Sequence, residues 1–404
     1  MALYATRSPR YSVLRRLIPL AAAGIALACL GDTPPGISLE YVYEVPQETG
    51  DGWLTGHLSD HGFDLGPIRD LFALVLDGSY PNVHSVLIIR DGVLVLEEYF
   101  PGYTSIGEYV SFDRETLHSC YSVTKSVNSA LIGIAIDRGL ISDTQQKISS
   151  FLAEYADIFT DPDKDLLRLD HLLSMTAGLD WDELTYPYVD PNNSHYWLRL
   201  SDDPIRYTLE QPAVAEPGTS FVYNSGLSIA LGRILENVAG LAADEFAEVY
   251  LFAPLSVSEY TWGRMSDGET LETGGGLSLR PRDMAKFGQL YLNGGRWGDV
   301  QVVSEGWVTE SIQQQAPDRG YGYQWWLTSF SVDGRVVDSY TGIGWGGQYV
   351  FVIPELDMVV VFTGGNYDQS ISYAYVMLGT HILLSALPQT SQLRAAAAGA
   401  ALVP

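Results

Sequence analysis

The chain has 404 residues, of which 46% are hydrophobic and 18% are charged, and its formal net charge is −26 at pH 7. This length and composition are typical of a globular protein with a sizeable core, organised as one large domain or two small ones. The negative charge disfavours binding to nucleic acid and to anionic membrane surfaces, because both repel an acidic protein.

Residues 1–28 are predicted to be a signal peptide. They combine four arginines, an apolar stretch over residues 17–27 that is too short to span a bilayer, and a small-residue cleavage site ending at Ala28. Two interpretations stay open: simple cleavage and secretion, or a bacterial lipoprotein with a lipid on Cys29. We expect export to the periplasm or outer membrane in the second case, with the lipid as the only membrane contact. Cys120 would then be a lone thiol.

Residues 29–55 are predicted to be a tether, residues 56–388 a folded domain and residues 389–404 a disordered, alanine-rich tail. An Asp-Gly pair at the centre of residues 86–96 indicates a β-hairpin. Helices are predicted over residues 68–76, from Ser122 to near Gly139, and over 166–178, 227–239, 243–251, 283–292 and 371–387. Strands are predicted over residues 321–326, 335–339, 348–353 and 358–362. The sequence therefore predicts an α+β fold, an antiparallel sheet built from both termini and flanked by helices, with a mostly helical insertion over about residues 160–270.

The first chemical motif is Ser122 followed three residues later by Lys125, at the start of a predicted helix. Positions i and i+3 share a helix face, so the amine is expected beside the hydroxyl. Of the four lysines in the chain, only Lys125 follows a serine at this spacing. The apolar residues behind it predict a buried helix, and a buried lysine without a role is costly. We therefore favour a serine nucleophile activated by lysine over a surface lysine.

A second stretch, residues 217–226, begins with a Pro-Gly turn and leads into a helix near Ser225. Its Tyr223 stands where a polar ring can face a cleft, although a tyrosine in the core is the simpler explanation for it taken alone. A third stretch, residues 340–348, has glycines at the spacing of a dinucleotide-binding fingerprint. We reject that function, because these glycines precede a predicted strand instead of following one. Glycines before an edge strand suit a close backbone approach to a ligand, and a backbone N–H there could hold an oxyanion.

Two other chemistries are disfavoured. The chain contains no Gly-x-Ser-x-Gly elbow, which argues against an α/β-hydrolase. His57 and His61 flank Asp60 without a further histidine cluster, so no metal site is predicted.

Together the three stretches resemble the serine β-lactamase and penicillin-recognising hydrolase superfamily, over roughly residues 80–385. Residues 122–125 match its Ser-x-x-Lys motif, Tyr223 matches the tyrosine of its Tyr-x-Asn motif, and the glycine stretch stands where its Lys/His-x-Gly strand belongs. Residues 171–179 and 279–288 are also similar to family members, and all these segments occur in the family's order. The resemblance implies a β-lactamase/transpeptidase-like fold.

Two positions depart from the family pattern. Ser225 stands where the Tyr-x-Asn motif has asparagine, and Gly344-Trp345-Gly346 lacks the cation that helps the family hold a β-lactam carboxylate. The same pattern is similar to the class C-like branch that includes family VIII carboxylesterases and 6-aminohexanoate-dimer hydrolases. We therefore expect a serine hydrolase acting on a small-molecule ester or amide.

The resemblance also implies a mechanism without a cofactor. Lys125, kept neutral by burial, takes the proton of Ser122, and Tyr223 passes a proton to the leaving group. Which of Lys125 and Tyr223 is the base for acylation stays open. The N–H groups of Ser122 and Trp345 hold the oxyanion.

The remaining predicted site residues are Gly344 and Gly346, which flank this oxyanion hole, and Asn224 or Ser225, which would orient Lys125 or the substrate.

Two alternative functions remain: a β-lactamase or D-alanyl-D-alanine peptidase, and a non-catalytic binding protein of the cell envelope. The oligomeric state is not predicted.

Overall fold

The computed structural model describes residues 41–367 and 372–387. The predicted signal peptide, Cys29 and the tail over residues 389–404 lie outside the described residues. In the described residues, no single helix is long and apolar enough to cross a membrane. The bent helix pair Ser225–Ala239 and Ala243–Phe252 reaches the required length and hydrophobicity only when its two helices are taken together.

Along the chain, most of the helices lie between an N-terminal group and a C-terminal group of strands. They are α1 (Leu65–Leu76), α2 (Val123–Asp137), α3 (Leu169–Leu173), α4 (Ser194–Leu200), α5 (Pro204–Leu209), α6 (Ser225–Ala239), α7 (Ala243–Ala247), α8 (Pro281–Leu292), α9 (Glu305–Ser311), α10 (Tyr373–Met377) and α11 (Leu383–Ala386). Single π-helical turns extend α7 over Glu248–Phe252 and join α10 to α11 over Leu378–Ile382. Short 3-10 helices occupy much of residues 148–166.

The strands form one large sheet and three small ones. They are β1 (Leu54–Thr55), β2 (Val83–Arg90), β3 (Val93–Tyr99), β4 (Pro101–Tyr103), β5 (Tyr109–Ser111), β6 (His118–Ser119), β7 (Tyr260–Trp262), β8 (Leu277–Leu279), β9 (Arg296–Trp297), β10 (Val300–Gln301), β11 (Trp326–Val332), β12 (Arg335–Gly344), β13 (Gln348–Ile353) and β14 (Met358–Gly364). The seven-stranded sheet has the order β1-β3-β2-β14-β13-β12-β11, and all its pairs except β1 with β3 are antiparallel. The predicted α+β fold class is confirmed. The domain boundaries and the limits of the helical insertion stay predictions.

The large sheet is covered on both faces, which explains why its central strands are uniformly apolar. Along β13, Val350 and Val352 belong to the core shared with α2 and α8, while Phe351 and Ile353 belong to the core shared with α1 and α10. Successive side chains of a strand point to opposite faces, so each face has its own apolar core. The sheet is thus a rigid support for the helix that carries Ser122.

Local predictions agree with the structure at the hairpin and fail at three other places. The predicted hairpin is β2 and β3, joined through Asp91 and Gly92, which both have positive φ angles as a tight hairpin turn requires. The helix predicted over 166–178 is wrong beyond Leu173, because Met175 adopts φ +61° and turns the chain. The strand predicted over 321–326 is also wrong, since regular pairing begins only at Trp326 after Gln324 at φ +64°.

The third failure concerns the glycine stretch. The sequence places Gly342 and Gly344 before an edge strand, whereas both lie inside β12, and the following β13 is an interior strand paired with β12 and β14. The prediction failed because strand order depends on pairing between distant segments, which periodicity does not report.

Candidate active site

Ser122 lies at the tight turn where the chain enters α2. Tyr121 before it adopts φ +45°, a conformation that residues other than glycine rarely take, and such strain is concentrated at functional sites. From Val123 to Ala135 every residue of α2 is buried. The buried helix therefore fixes the turn, and Ser122 lines a cavity of about 700 Å³.

Lys125 lies one helical turn along α2, directly beneath Ser122. Its Nζ donates to the Ser122 Oγ at 3.0 Å and to the Gly274 carbonyl oxygen at 2.6 Å, and the side chain is 1% exposed. Among the described residues, none forms an ion pair with this amine at 4.0 Å or less. Burial lowers the pKa of Lys125 to about 8, and the charges of Glu183 and Glu272 act in the opposite direction. A larger fraction of this amine is thus neutral near physiological pH than for an exposed lysine, although the ammonium predominates below about pH 8.

Tyr223 faces the same pair from the segment that leads into α6. Its ring centre lies 5.0 Å from the Lys125 Nζ, and the ring stacks on Trp326 with centroids 5.7 Å apart. Burial and the charge of Glu183 raise the pKa of Tyr223, while a hydrogen bond with Ser122 lowers it. The phenol is therefore protonated at neutral pH and is suited to donate a proton.

Asn224 and Ser225 do not act on Lys125 as the sequence suggested. The Asn224 side chain caps α6 by accepting from the N–H groups of Gly226 and Leu227. Ser225 donates its hydroxyl to Glu183 Oε1 at 2.5 Å and its backbone N–H to Oε2 at 2.7 Å. Both residues thus support the loop around Tyr223, and neither lies among the described residues that line the cavity.

Glu183 is the site residue that the sequence analysis missed. It is 3% exposed, lines the cavity, and accepts a further hydrogen bond from the Trp181 indole at 3.0 Å. The only signal in the sequence was an acidic residue in an aromatic loop between α3 and α4. Its partner Ser225 is 42 residues away along the chain, so local patterns could not connect them.

The end of β12 forms the opposite wall of the cavity. A Cβ added at Gly344 would lie 2.2 Å from the Cys120 carbonyl oxygen, so only glycine permits this close approach of the strand to the Ser122 turn. Gly344, Trp345 and Gly346 all line the cavity. The Trp345 ring contacts Tyr121 with centroids 5.3 Å apart, which anchors the wall to the residue before Ser122.

Cys120 and His118, which lie close to Ser122 in the sequence, serve the core. Cys120 is fully buried, and burial raises the pKa of its thiol to about 12. His118 bonds to the buried His84 ring at 2.8 Å, and burial lowers the pKa of His118 to about 4. Neither residue is among the described residues that line the cavity.

The site thus places a serine hydroxyl beside a buried lysine amine and a buried tyrosine, and comparison with known proteins identifies the family. The model of the Beta-lactamase family matches residues 79–368, so the chain belongs to this family. It is a serine hydrolase of the β-lactamase superfamily, as the motifs around Ser122 predicted.

The chain is similar to one curated protein and to two solved structures. The 6-aminohexanoate-dimer hydrolase of Paenarthrobacter ureafaciens is 29% identical over 298 residues, covering 68% of this chain and 70% of that protein. The octameric penicillin-binding protein homologue of Pyrococcus abyssi superposes with a TM-score of 0.59 at 20% identity, covering 78% of this chain and 77% of that one. A family VIII carboxylesterase structure gives a TM-score of 0.59 at 17% identity, with 78% and 96% covered. The two structural likenesses show the shared fold.

Proposed function

We propose that this protein is an exported hydrolase that cleaves an ester or amide through an acyl-enzyme on Ser122. The observation that carries the proposal is the 3.0 Å contact between the Ser122 hydroxyl and a fully buried lysine amine that has no carboxylate partner among the described residues. Burial without a counterion favours the neutral amine, which is the form able to accept a proton.

The reaction begins when Lys125 takes the Ser122 proton as Oγ attacks the substrate carbonyl. Backbone N–H groups of Ser122 and Trp345 hold the negative oxygen that forms. Tyr223 then gives its proton to the leaving alcohol or amine and recovers one from the Lys125 ammonium. Water attacks the acyl-enzyme, and its proton returns along the same residues to Ser122, so the enzyme ends in its starting state.

The structure supports Lys125 over Tyr223 as the base for acylation. The amine donates to the hydroxyl that it must later deprotonate, and its pKa of about 8 lies near the operating pH. The pKa of Tyr223 is raised by burial, which favours the phenol as an acid.

The wall opposite Ser122 argues against β-lactams that carry a carboxylate. Where the family's Lys/His-x-Gly pattern begins with a lysine or histidine, this chain has Gly344, followed by Trp345 and Gly346. No lysine, arginine or histidine is among the described residues that line the cavity. The relative that hydrolyses a 6-aminohexanoate dimer and the carboxylesterase neighbour support an amide or ester instead.

Active-site labelling tests the proposal. A fluorophosphonate probe should label the purified protein, with the adduct mapped by mass spectrometry to Ser122, and Ser122→Ala should abolish labelling. Turnover of p-nitrophenyl butyrate without rapid turnover of nitrocefin is the expected result. Rapid nitrocefin turnover would instead identify a β-lactamase, and absence of both labelling and turnover would identify a non-catalytic binding protein.

Export is a separate part of the proposal, supported by the N-terminal sequence alone. We propose cleavage after Ala28 and a lipid on Cys29. Labelling with radioactive palmitate in a bacterial host should depend on this cysteine and disappear in Cys29→Ala. Cleavage without labelling would show simple secretion.

A further inference from the structure

The cavity beside Ser122 has an unusual balance of aromatic and charged groups. Its walls include the rings of Tyr188, Trp326 and Trp345. Among the described residues that line it, Glu183 is the only one with a charged side chain. The charged residue in the described lining is therefore an acid.

Glu183 is held in place as a hydrogen-bond acceptor. The Ser225 backbone N–H, the Ser225 hydroxyl and the Trp181 indole donate to it at 2.7, 2.5 and 3.0 Å. The Tyr188 hydroxyl adds a longer contact at 3.4 Å. An ionised carboxylate satisfies this set of donors, since it accepts on both oxygens.

The neighbouring basic residues Lys125, Arg199 and His195 are not among the described residues that line the cavity. Lys125 lies beneath Ser122 and bonds to it and to the Gly274 carbonyl. Arg199 is exposed and does not line the cavity. His195 packs edge-on against Tyr188, and burial lowers its pKa, so its ring is neutral at neutral pH.

We propose that this cavity selects substrates that carry an organic cation, such as an alkylammonium group, and disfavours those that carry a carboxylate, with Glu183 as the residue that sets the selection. The inference rests on the proposed serine hydrolase function and names its substrate class. A cation gains from the fixed carboxylate and from the faces of aromatic rings, whereas an anion is repelled by the same groups.

Three esters test this selection. They are p-nitrophenyl esters of acids with equal chain length that end in a trimethylammonium, a tert-butyl or a carboxylate group. The cationic and neutral compounds have nearly the same shape, so their comparison isolates charge. We expect kcat/KM for the cationic ester to exceed that for the anionic ester at least about tenfold, which corresponds to about 1.4 kcal/mol.

Two substitutions assign the selection to its source. Glu183→Gln keeps the size of the side chain and removes the charge, so the ratio of the two kcat/KM values should fall by at least about fivefold. Ser225→Ala removes one donor to Glu183 but keeps the charge, so it should lower the rates for all three esters and preserve the ratio. Because the readout is a ratio, a general loss of activity in either variant does not mimic the effect.

The outcomes separate this inference from the proposed function. If Ser122 is labelled by the fluorophosphonate and the neutral ester is cleaved, but the wild-type ratio is near one or below, the inference is wrong and the hydrolase function stands. An unchanged ratio in Glu183→Gln also overturns it. If Ser122 neither reacts with the probe nor cleaves any of the esters, the proposed function and the inference both fail.

Discussion

Two of the buried lysines in the described residues contact a polar side chain three positions earlier, and they do different things. Lys125 follows Ser122 by three residues on α2, and Lys286 follows Asp283 by three residues on α8. The Lys286 Nζ lies 2.9 Å from the Asp283 carboxylate and donates to the Ser256 carbonyl oxygen. The Lys125 Nζ has a hydroxyl and a carbonyl oxygen for partners instead.

The difference shows what turns a buried lysine into a base. A carboxylate partner stabilises an ammonium group, and Lys286 is one half of a buried ion pair within α8. Without such a partner, burial favours the neutral amine, so Lys125 can accept a proton from the hydroxyl beside it. The group that packing places beside the buried amine, a hydroxyl or a carboxylate, distinguishes the two lysines.

The largest loss of activity should come from substituting Ser122 or Lys125. Lys125→Met should lower kcat/KM for p-nitrophenyl butyrate by at least about 10⁴-fold, because the base that activates Ser122 is lost. Ser122→Ala should cost as much, and the double variant no more, since the two residues act as a unit. Steady-state kinetics test this, with circular dichroism to confirm folding. A loss of less than about tenfold in Lys125→Met would contradict the role of the lysine.

Tyr223→Phe should give the next largest effect, and its size should depend on the leaving group. For an alkyl ester or amide we expect a loss of about 10²–10³-fold in kcat/KM, typical of a missing general acid. A p-nitrophenyl ester should lose much less, because p-nitrophenolate leaves without a proton. Equal losses for both substrates would show that Tyr223 acts on Ser122 or Lys125 and not on the leaving group.

The second lysine should affect stability and not chemistry. Lys286→Met leaves Asp283 buried with only the Arg280 contact, so the free energy of unfolding should fall by about 3–5 kcal/mol. Urea unfolding measures this, and the double variant Asp283→Asn with Lys286→Met should recover part of the loss. Activity per folded molecule should stay within about twofold of wild type, since α8 does not reach the reacting atoms. Loss of activity in a folded Lys286→Met protein would remove the contrast between the two lysines.

The smallest effect concerns the pH dependence of activity that Lys125 sets. Because a neutral Lys125 is required, kcat/KM should rise with pH and level off above about pH 8, the pKa that burial gives this amine. The charge of Glu183 raises the pKa of Lys125, so Glu183→Gln should move the rising limb of the pH–rate profile to lower pH. A folded Lys286→Met protein is the control and should keep the wild-type limb. A limb in Glu183→Gln that stays in place or moves to higher pH would show that this carboxylate does not act on Lys125.

The sequence by itself determined the family, the fold class and the three stretches that meet at the cavity. The pairing of Ser122 and Lys125 could be predicted because it is local: spacing on one helix fixes which side chains share a face. The hairpin at Asp91 could be predicted for the same reason, because the type of a turn depends on neighbouring residues.

Only the tertiary structure decided how the site is completed. It showed that Ser225 serves Glu183 instead of Lys125, that Glu183 faces the cavity, and that the glycines of β12 lie in the interior of the sheet. Each of these facts depends on contacts between segments that are distant in sequence. Burial and charge at such contacts are set by packing. Packing also decided that, within the described residues, Lys125 has no counterion whereas Lys286 has one.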